Sequence, residues 1–143
     1  MFIGEFEHFV DTKGRLAIPY RFRKQLGKGA VITRGIDLNL VVYPAAEWEN
    51  AARKLITTPF GDPKARTFAR FILSGALEVE FDRQGRALVP QFLREYAGIK
   101  GQAVAIGMYN KVEIWEPGRW SKLKKQATAS REDLLEHLQQ LDF

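Results

Sequence analysis

Two five-residue segments carry the side chains best suited to chemistry on a polyanion: Asp11-Thr12-Lys13-Gly14-Arg15 and Asp82-Arg83-Gln84-Gly85-Arg86. In each, aspartate suits the first position of a type I turn, where its carboxylate accepts local backbone N–H groups. Glycine suits the left-handed fourth position of a G1-bulge hairpin. Such a turn puts Thr12 and Lys13, or Arg83 and Gln84, at an apex with nothing beneath to pack against, and stands Arg15 and Arg86 at the base. An arginine fork hydrogen-bonds both O6 and N7 of guanine, lysine neutralises phosphate, glutamine reads adenine, and a two-stranded ribbon fits the major groove. Each hairpin is therefore a candidate reading head. The competing interpretation is a staple, in which Asp11 bridges to Arg15 and Asp82 to Arg86 only to hold the turn. A surface bridge of that kind contributes about 0–1 kcal/mol. The two roles are compatible, since a carboxylate that holds an arginine preorganises it for a base edge.

The surroundings favour the same partner. Arg21, Arg23, Lys24 and Lys28 add a basic helix beside the first turn, so that six basic residues face one acid between Asp11 and Lys28. The second copy is weaker, with Arg83, Arg86, Arg94 and Lys100 against Asp82 and Glu95. Over 143 residues the net charge is +5, and it is unevenly spread. The last fourteen residues, from Ser130, hold one arginine against four acids, a net of −3, which leaves +8 on residues 1–129. A basic body suits a nucleic acid, although an ordinary solvated surface competes with that reading on charge alone. Catalysis has little support. Asp11 and Asp82 could form an acid and base pair, but aspartate at a turn start ordinarily caps backbone. His8 and His137 have no second ligand at metal spacing, cysteine is absent, and no phosphate-loop or nucleophile-elbow motif occurs. No cofactor is expected. The first residues lack the basic start and apolar centre of a secretory signal, and no window approaches the roughly 18 apolar residues of a membrane span, so a cytoplasmic protein without membrane contact is the expectation.

The elements that must position these turns follow from a repeat. Asp11, Gly14, Arg15, Pro19, Arg23 and Gly27 recur 71 positions later as Asp82, Gly85, Arg86, Pro90, Arg94 and Gly98. Beyond that the offset becomes 72, matching Gly35 with Gly107, Tyr43 with Trp115 and Trp48 with Trp120. The chain divides into a first half (1–58), a helical connector (59–75), a second half (76–129) and an acidic tail (130–143). In the first half, Phe2, Phe6, His8 and Val10 share one side of an alternating strand, which the turn folds back as Arg15 to Ile18. Pro19 then starts a short helix with Phe22 and Leu26 inward and Arg21 and Lys24 outward, ended by Gly27. Val31 to Thr33 and Asn39 to Tyr43 form two more strands, repeated by Ala103 to Gly107 and Lys111 to Trp115. Pro44 and Pro117 start helices whose Trp48 and Trp120 pack inward. Asp62-Pro63 opens the connector helix, and Leu134, Leu138 and Leu141 stripe the tail. The fold class is α+β, two similar β-rich halves about a pseudo-two-fold axis with interleaved strands, since about 60 residues alone bury too little apolar surface.

The opening Met-Phe-x-Gly-Glu, His8, Asp11 to Arg15 with Pro19, Asp82 to Arg86 with Pro90, and Gly107 followed by Glu113-Ile114-Trp115 together resemble the bacterial MraZ family over residues 1–125. That family is similar to the AbrB and SpoVT transition-state regulators, with two such halves fused. The resemblance implies a DNA-binding transcriptional regulator of the division and cell-wall gene cluster, including its own promoter, with an oligomeric ring and a nucleoid location. It also implies that the two Asp-x-x-x-Arg loops form the DNA surface. Because the halves are similar but not identical, head-to-tail contacts that close give a ring presenting its turns in one sense. Direct repeats of guanine-rich double-stranded DNA are then the expected operator. An RNA-binding or ribosome-associated module using the same loops is the alternative.

Overall fold

The computed structural model describes residues 1–142. In chain order its elements are β1 (Glu5–Phe9), β2 (Arg15–Ala17), α1 (Tyr20–Leu26), β3 (Val31–Arg34), β4 (Leu40–Tyr43), α2 (Ala45–Ile56) and α3 (Pro63–Ser74). They continue as β5 (Leu77–Glu78), β6 (Arg86–Leu88), α4 (Gln91–Ala97), β7 (Gln102–Gly107), β8 (Val112–Trp115), α5 (Pro117–Ala129) and α6 (Arg131–Gln140). Prolines set the helix starts. Pro19, Pro44 and Pro90 directly precede α1, α2 and α4, while Pro63 and Pro117 take the first turn of α3 and α5 behind the capping carboxylates of Asp62 and Glu116. Gly27 and Gly98 end α1 and α4 at φ 64° and 69°.

The strands form an antiparallel six-stranded sheet in the order β1-β7-β8-β4-β3-β5 and a separate two-stranded ribbon, β2-β6. Here the pairing departs from the hairpin expected of each turn. The arms of the first turn meet only at a Val10–Leu16 bridge, and those of the second only at Phe81–Ala87. β1 instead pairs with β7 of the other half, from Glu5 opposite Ile106 to Phe9 opposite Gln102, and β5 pairs with β3. Alternation of apolar residues fixes which face of a strand is buried but not which partner it takes. The longer pairing won, and each half lends its first strand to the other's sheet.

Leu16 faces Ala87 across the ribbon, and Val41 faces Glu113 across β4 and β8. Each residue faces its own counterpart in the repeat, and only a two-fold relation between antiparallel strands brings that about. The pseudo-two-fold axis therefore runs through the ribbon and the centre of the sheet. The core between them is built of equivalent pairs: Phe22 and Leu93, Leu26 and Ala97, Leu40 and Val112, Val42 and Ile114, all buried. Phe22 meets the rings of Phe2 and Phe6 edge-on at 5.5 and 5.2 Å. On the sheet's other face, Trp48 packs on Tyr43 and Trp120 on Trp115, both at 5.7 Å between ring centroids. The leucine stripe of α6 stands in solvent, with Leu134, Leu135, Leu138 and Leu141 exposed. Among the described residues no helix is long and apolar enough to cross a membrane.

Candidate nucleic-acid interface

Both turns are closed by the same set of bonds. Oδ1 of Asp11 accepts the backbone N–H of Lys13 at 3.0 Å and of Arg15 at 2.8 Å, and the Nε of Arg15 donates to Oδ2 at 2.6 Å. Oδ1 of Asp82 accepts from Gln84 and Arg86 N–H, both at 2.9 Å, and Arg86 Nε donates to Oδ2 at 3.0 Å. Gly14 at φ 83° and Gly85 at φ 76° supply the left-handed residue that lets the chain turn back. The backbone N–H of Arg15 holds the Asp11 carboxyl below the usual aspartate range, and the backbone N–H of Arg86 does the same for Asp82. An acid and base pair needs two carboxyls pushed apart, whereas these are lowered alike.

The ribbon brings the two turns together. Gly14 accepts the N–H of Val89 at 2.9 Å and Gly85 that of Ile18 at 3.2 Å, so each turn continues into the other half's strand. Arg86 Nη1 reaches Oδ2 of Asp11, at 3.5 Å. Leu16 and Ala87 point into the core, which leaves Arg15, Ala17, Arg86 and Leu88 on the outward face. Each arginine is held through Nε, and its side chain keeps 35% (Arg15) or 26% (Arg86) of its surface exposed. This arrangement leaves the end of the Arg15 fork to face outward as a planar double donor, while Arg86 turns one of its terminal nitrogens to Asp11.

Thr12, Lys13, Arg83 and Gln84 lie exposed at the two tips, as the turn chemistry requires. Lys24 is exposed on α1. Arg21 turns toward the N-terminal segment, donating to the Ile3 carbonyl at 3.4 Å and lying 5.7 Å from the Phe6 ring centroid. Arg23, grouped by sequence with the solvated basic helix, is half-buried and serves a different purpose. Its Nε donates to the Ile18 carbonyl at 2.9 Å, and its guanidinium fills the space that a side chain on Gly85 would need. Arg94 does the same with Val89 and Gly14. Each helix thus braces the turn of the opposite half. The signal was present, because Arg23 and Arg94 are among the repeat's identities. Among the described residues no group of three or more histidine, aspartate or glutamate side chains is placed to hold a metal ion.

A family model described as "MraZ protein, putative antitoxin-like" matches the chain twice, over residues 1–71 and 72–142. Similar proteins include one from Pelotomaculum thermopropionicum, 48% identical over 143 residues and covering 100% of this chain and 99% of its own. Another, from Desulforamulus reducens, is 47% identical over 138 residues, 96% of this chain and 97% of its own. A third, from Roseiflexus castenholzii, is 45% identical over the whole of both chains. All three are named transcriptional regulator MraZ. Two matched repeats that together span both turns, and relatives collinear from end to end, establish that the chain belongs to the MraZ family.

Proposed function

We propose that the protein is a non-enzymatic transcriptional regulator that binds double-stranded DNA through its paired turns. The observation that carries this reading is the juxtaposition of two aspartate-held arginines, Arg15 and Arg86, on one outward ribbon face flanked by exposed Lys13, Arg83 and Gln84. Arg15 and Arg86 dock on guanine O6 and N7, Lys13 and Arg83 meet phosphate, Gln84 and Thr12 complete the base contacts, and Arg21 and Lys24 add attraction from the flank. Gly14 and Gly85, buried beneath Arg94 and Arg23, take the left-handed turn that carries the tips toward the DNA, and Asp11 and Asp82 organise the loops. The names carried by the full-length relatives accord with this role.

In this reading the subunits close head to tail into a homo-oligomeric ring, and the operator is a set of guanine-rich direct repeats upstream of its own gene in the division and cell-wall cluster. The protein then acts in the cytoplasm, at the nucleoid. Single heads bind weakly, and tethering raises overall affinity by about 10²–10⁴. The test is to map which genomic segments the purified protein protects, with a matched RNA as competitor. Protection of repeated boxes in the promoter is expected. Duplex binding without sequence preference at physiological salt, tighter binding to the RNA, or full affinity for one isolated box would overturn the reading.

A further inference from the structure

The ribbon's outward face holds four side chains in two directly opposed pairs: Arg15 with Leu88, and Ala17 with Arg86. Under the pseudo-two-fold axis Arg15 exchanges with Arg86, but Ala17 exchanges with Leu88. The arginines occupy equivalent positions, although Arg86 alone also reaches the other half's aspartate, and the apolar pair is not equivalent at all. Leu88 is 58% exposed, on a strand of three residues whose middle member, Ala87, is buried. Its three carbons beyond Cβ, which Ala17 lacks, extend beside Arg15, since directly opposed strand residues have Cβ atoms about 4.5–5.5 Å apart. More than half exposed, Leu88 gains little for folding there. An apolar group fixed beside an arginine fork is what recognition of a thymine next to a guanine requires, because the 5-methyl group is the one apolar feature of the major-groove edge.

We propose that Leu88 is a specificity-determining residue that packs on a thymine 5-methyl group adjoining the guanine read by Arg15. The proposal rests on the reading of the paired turns as a DNA surface and deepens it. A ribbon with two symmetric arginines alone would accept either direction of the duplex. Leu88 against Ala17 adds to the difference between the tips in making one direction better than the other, so every box is read in the same sense.

The experiment uses the full chain and the promoter duplex upstream of its own gene, with each thymine of a box replaced singly by deoxyuridine, which removes the methyl group and leaves the hydrogen-bonding edge intact. Wild type should lose about fourfold affinity per box at one thymine position beside a guanine, the worth of one buried methyl-sized group. Leu88→Ala should lose the same amount on the thymine duplex and nothing further on the deoxyuridine duplex. Leu88→Met, which keeps an apolar contact, should retain the thymine dependence. Equal weakening of Leu88→Ala on both duplexes, unchanged affinity, or boxes without a thymine beside a guanine would overturn the proposal. Loss of binding in Arg15→Ala without any thymine dependence would remove only the role of Leu88. Full binding by Arg15→Ala and Arg86→Ala would instead remove the DNA surface itself.

Discussion

The two turns share a frame and differ at its tips. Asp, Gly and Arg recur with bond lengths matched to within a few tenths of an ångström, and the bracing arginines Arg23 and Arg94 are exchanged between halves in the same way. The apex residues are not matched: Thr12-Lys13 stands where the other half has Arg83-Gln84. Residues that shape the turn, and the arginines at its base, are therefore the same in both halves, while those at the apex differ. In the proposed DNA-binding role, duplicated geometry with diverged tips gives two heads that approach a groove alike and meet different groups there.

The largest effect expected is on DNA affinity in Arg15→Ala, because the proposed bidentate contact, worth about 1–3 kcal/mol, would be lost in every subunit of the proposed ring. A loss of about 10²-fold or more in a titration of the promoter duplex is expected. Arg86→Ala should match it if the heads are equal readers, and a much smaller loss there would show that the first half dominates. Gly14→Ala and Gly85→Ala come next. Alanine at positive φ costs roughly 1–2 kcal/mol, and the new Cβ also falls on the guanidinium of Arg94 or Arg23. Both variants should lower the thermal midpoint together, and a tolerant Gly85 would break the equivalence of the turns.

A smaller difference should separate the tips. Lys13→Ala should weaken binding to all duplexes alike and reduce the slope of log K against log salt by about 0.9 per contact removed, whereas Gln84→Ala should leave that slope unchanged. The smallest effect concerns pH. Asp11 and Asp82 titrate below the usual aspartate range in the folded protein, so their support of the turns is complete above about pH 4. It is lost as pH falls through the lowered folded values. Amide resonances of Lys13, Arg15, Gln84 and Arg86 should hold steady from neutral pH to that point and shift together below it. In Asp11→Asn the first pair alone should lose this behaviour.

Much of this was legible in the chain. The repeat, the turn chemistry of Asp11 to Gly14, the proline starts and the glycine stops are local signals, and each appears where local physics places it. The inward positions of Phe22 and Leu26 followed from four-residue spacing. Partner choice was not legible. His8 and Phe6 could be assigned to one face of a strand, but nothing local distinguishes β2 from β7 as the neighbour of β1. The same gap hid the candidate site's arrangement. Each turn could be drawn alone, yet their meeting across the ribbon, and the bracing of Gly85 by Arg23, depend on contacts more than 60 residues apart. The edge of the sheet was also missed: Thr33 and Arg34 side chains donate to the Ile72 and Phe71 carbonyls at 2.6 and 2.8 Å, so β3 caps the end of α3 where β7 has a full strand beside it.

The exchange of first strands between halves also orders events during synthesis. β1 leaves the ribosome more than ninety residues before its partner β7, which begins at Gln102. At about 5–20 residues per second, an open strand edge with no native neighbour persists for several seconds of translation. The first half cannot finish its sheet from its own residues, and neither can the second. The nascent chain thus has no stopping point at which one repeat stands complete, and its two copies mature as a single event once the last strands emerge.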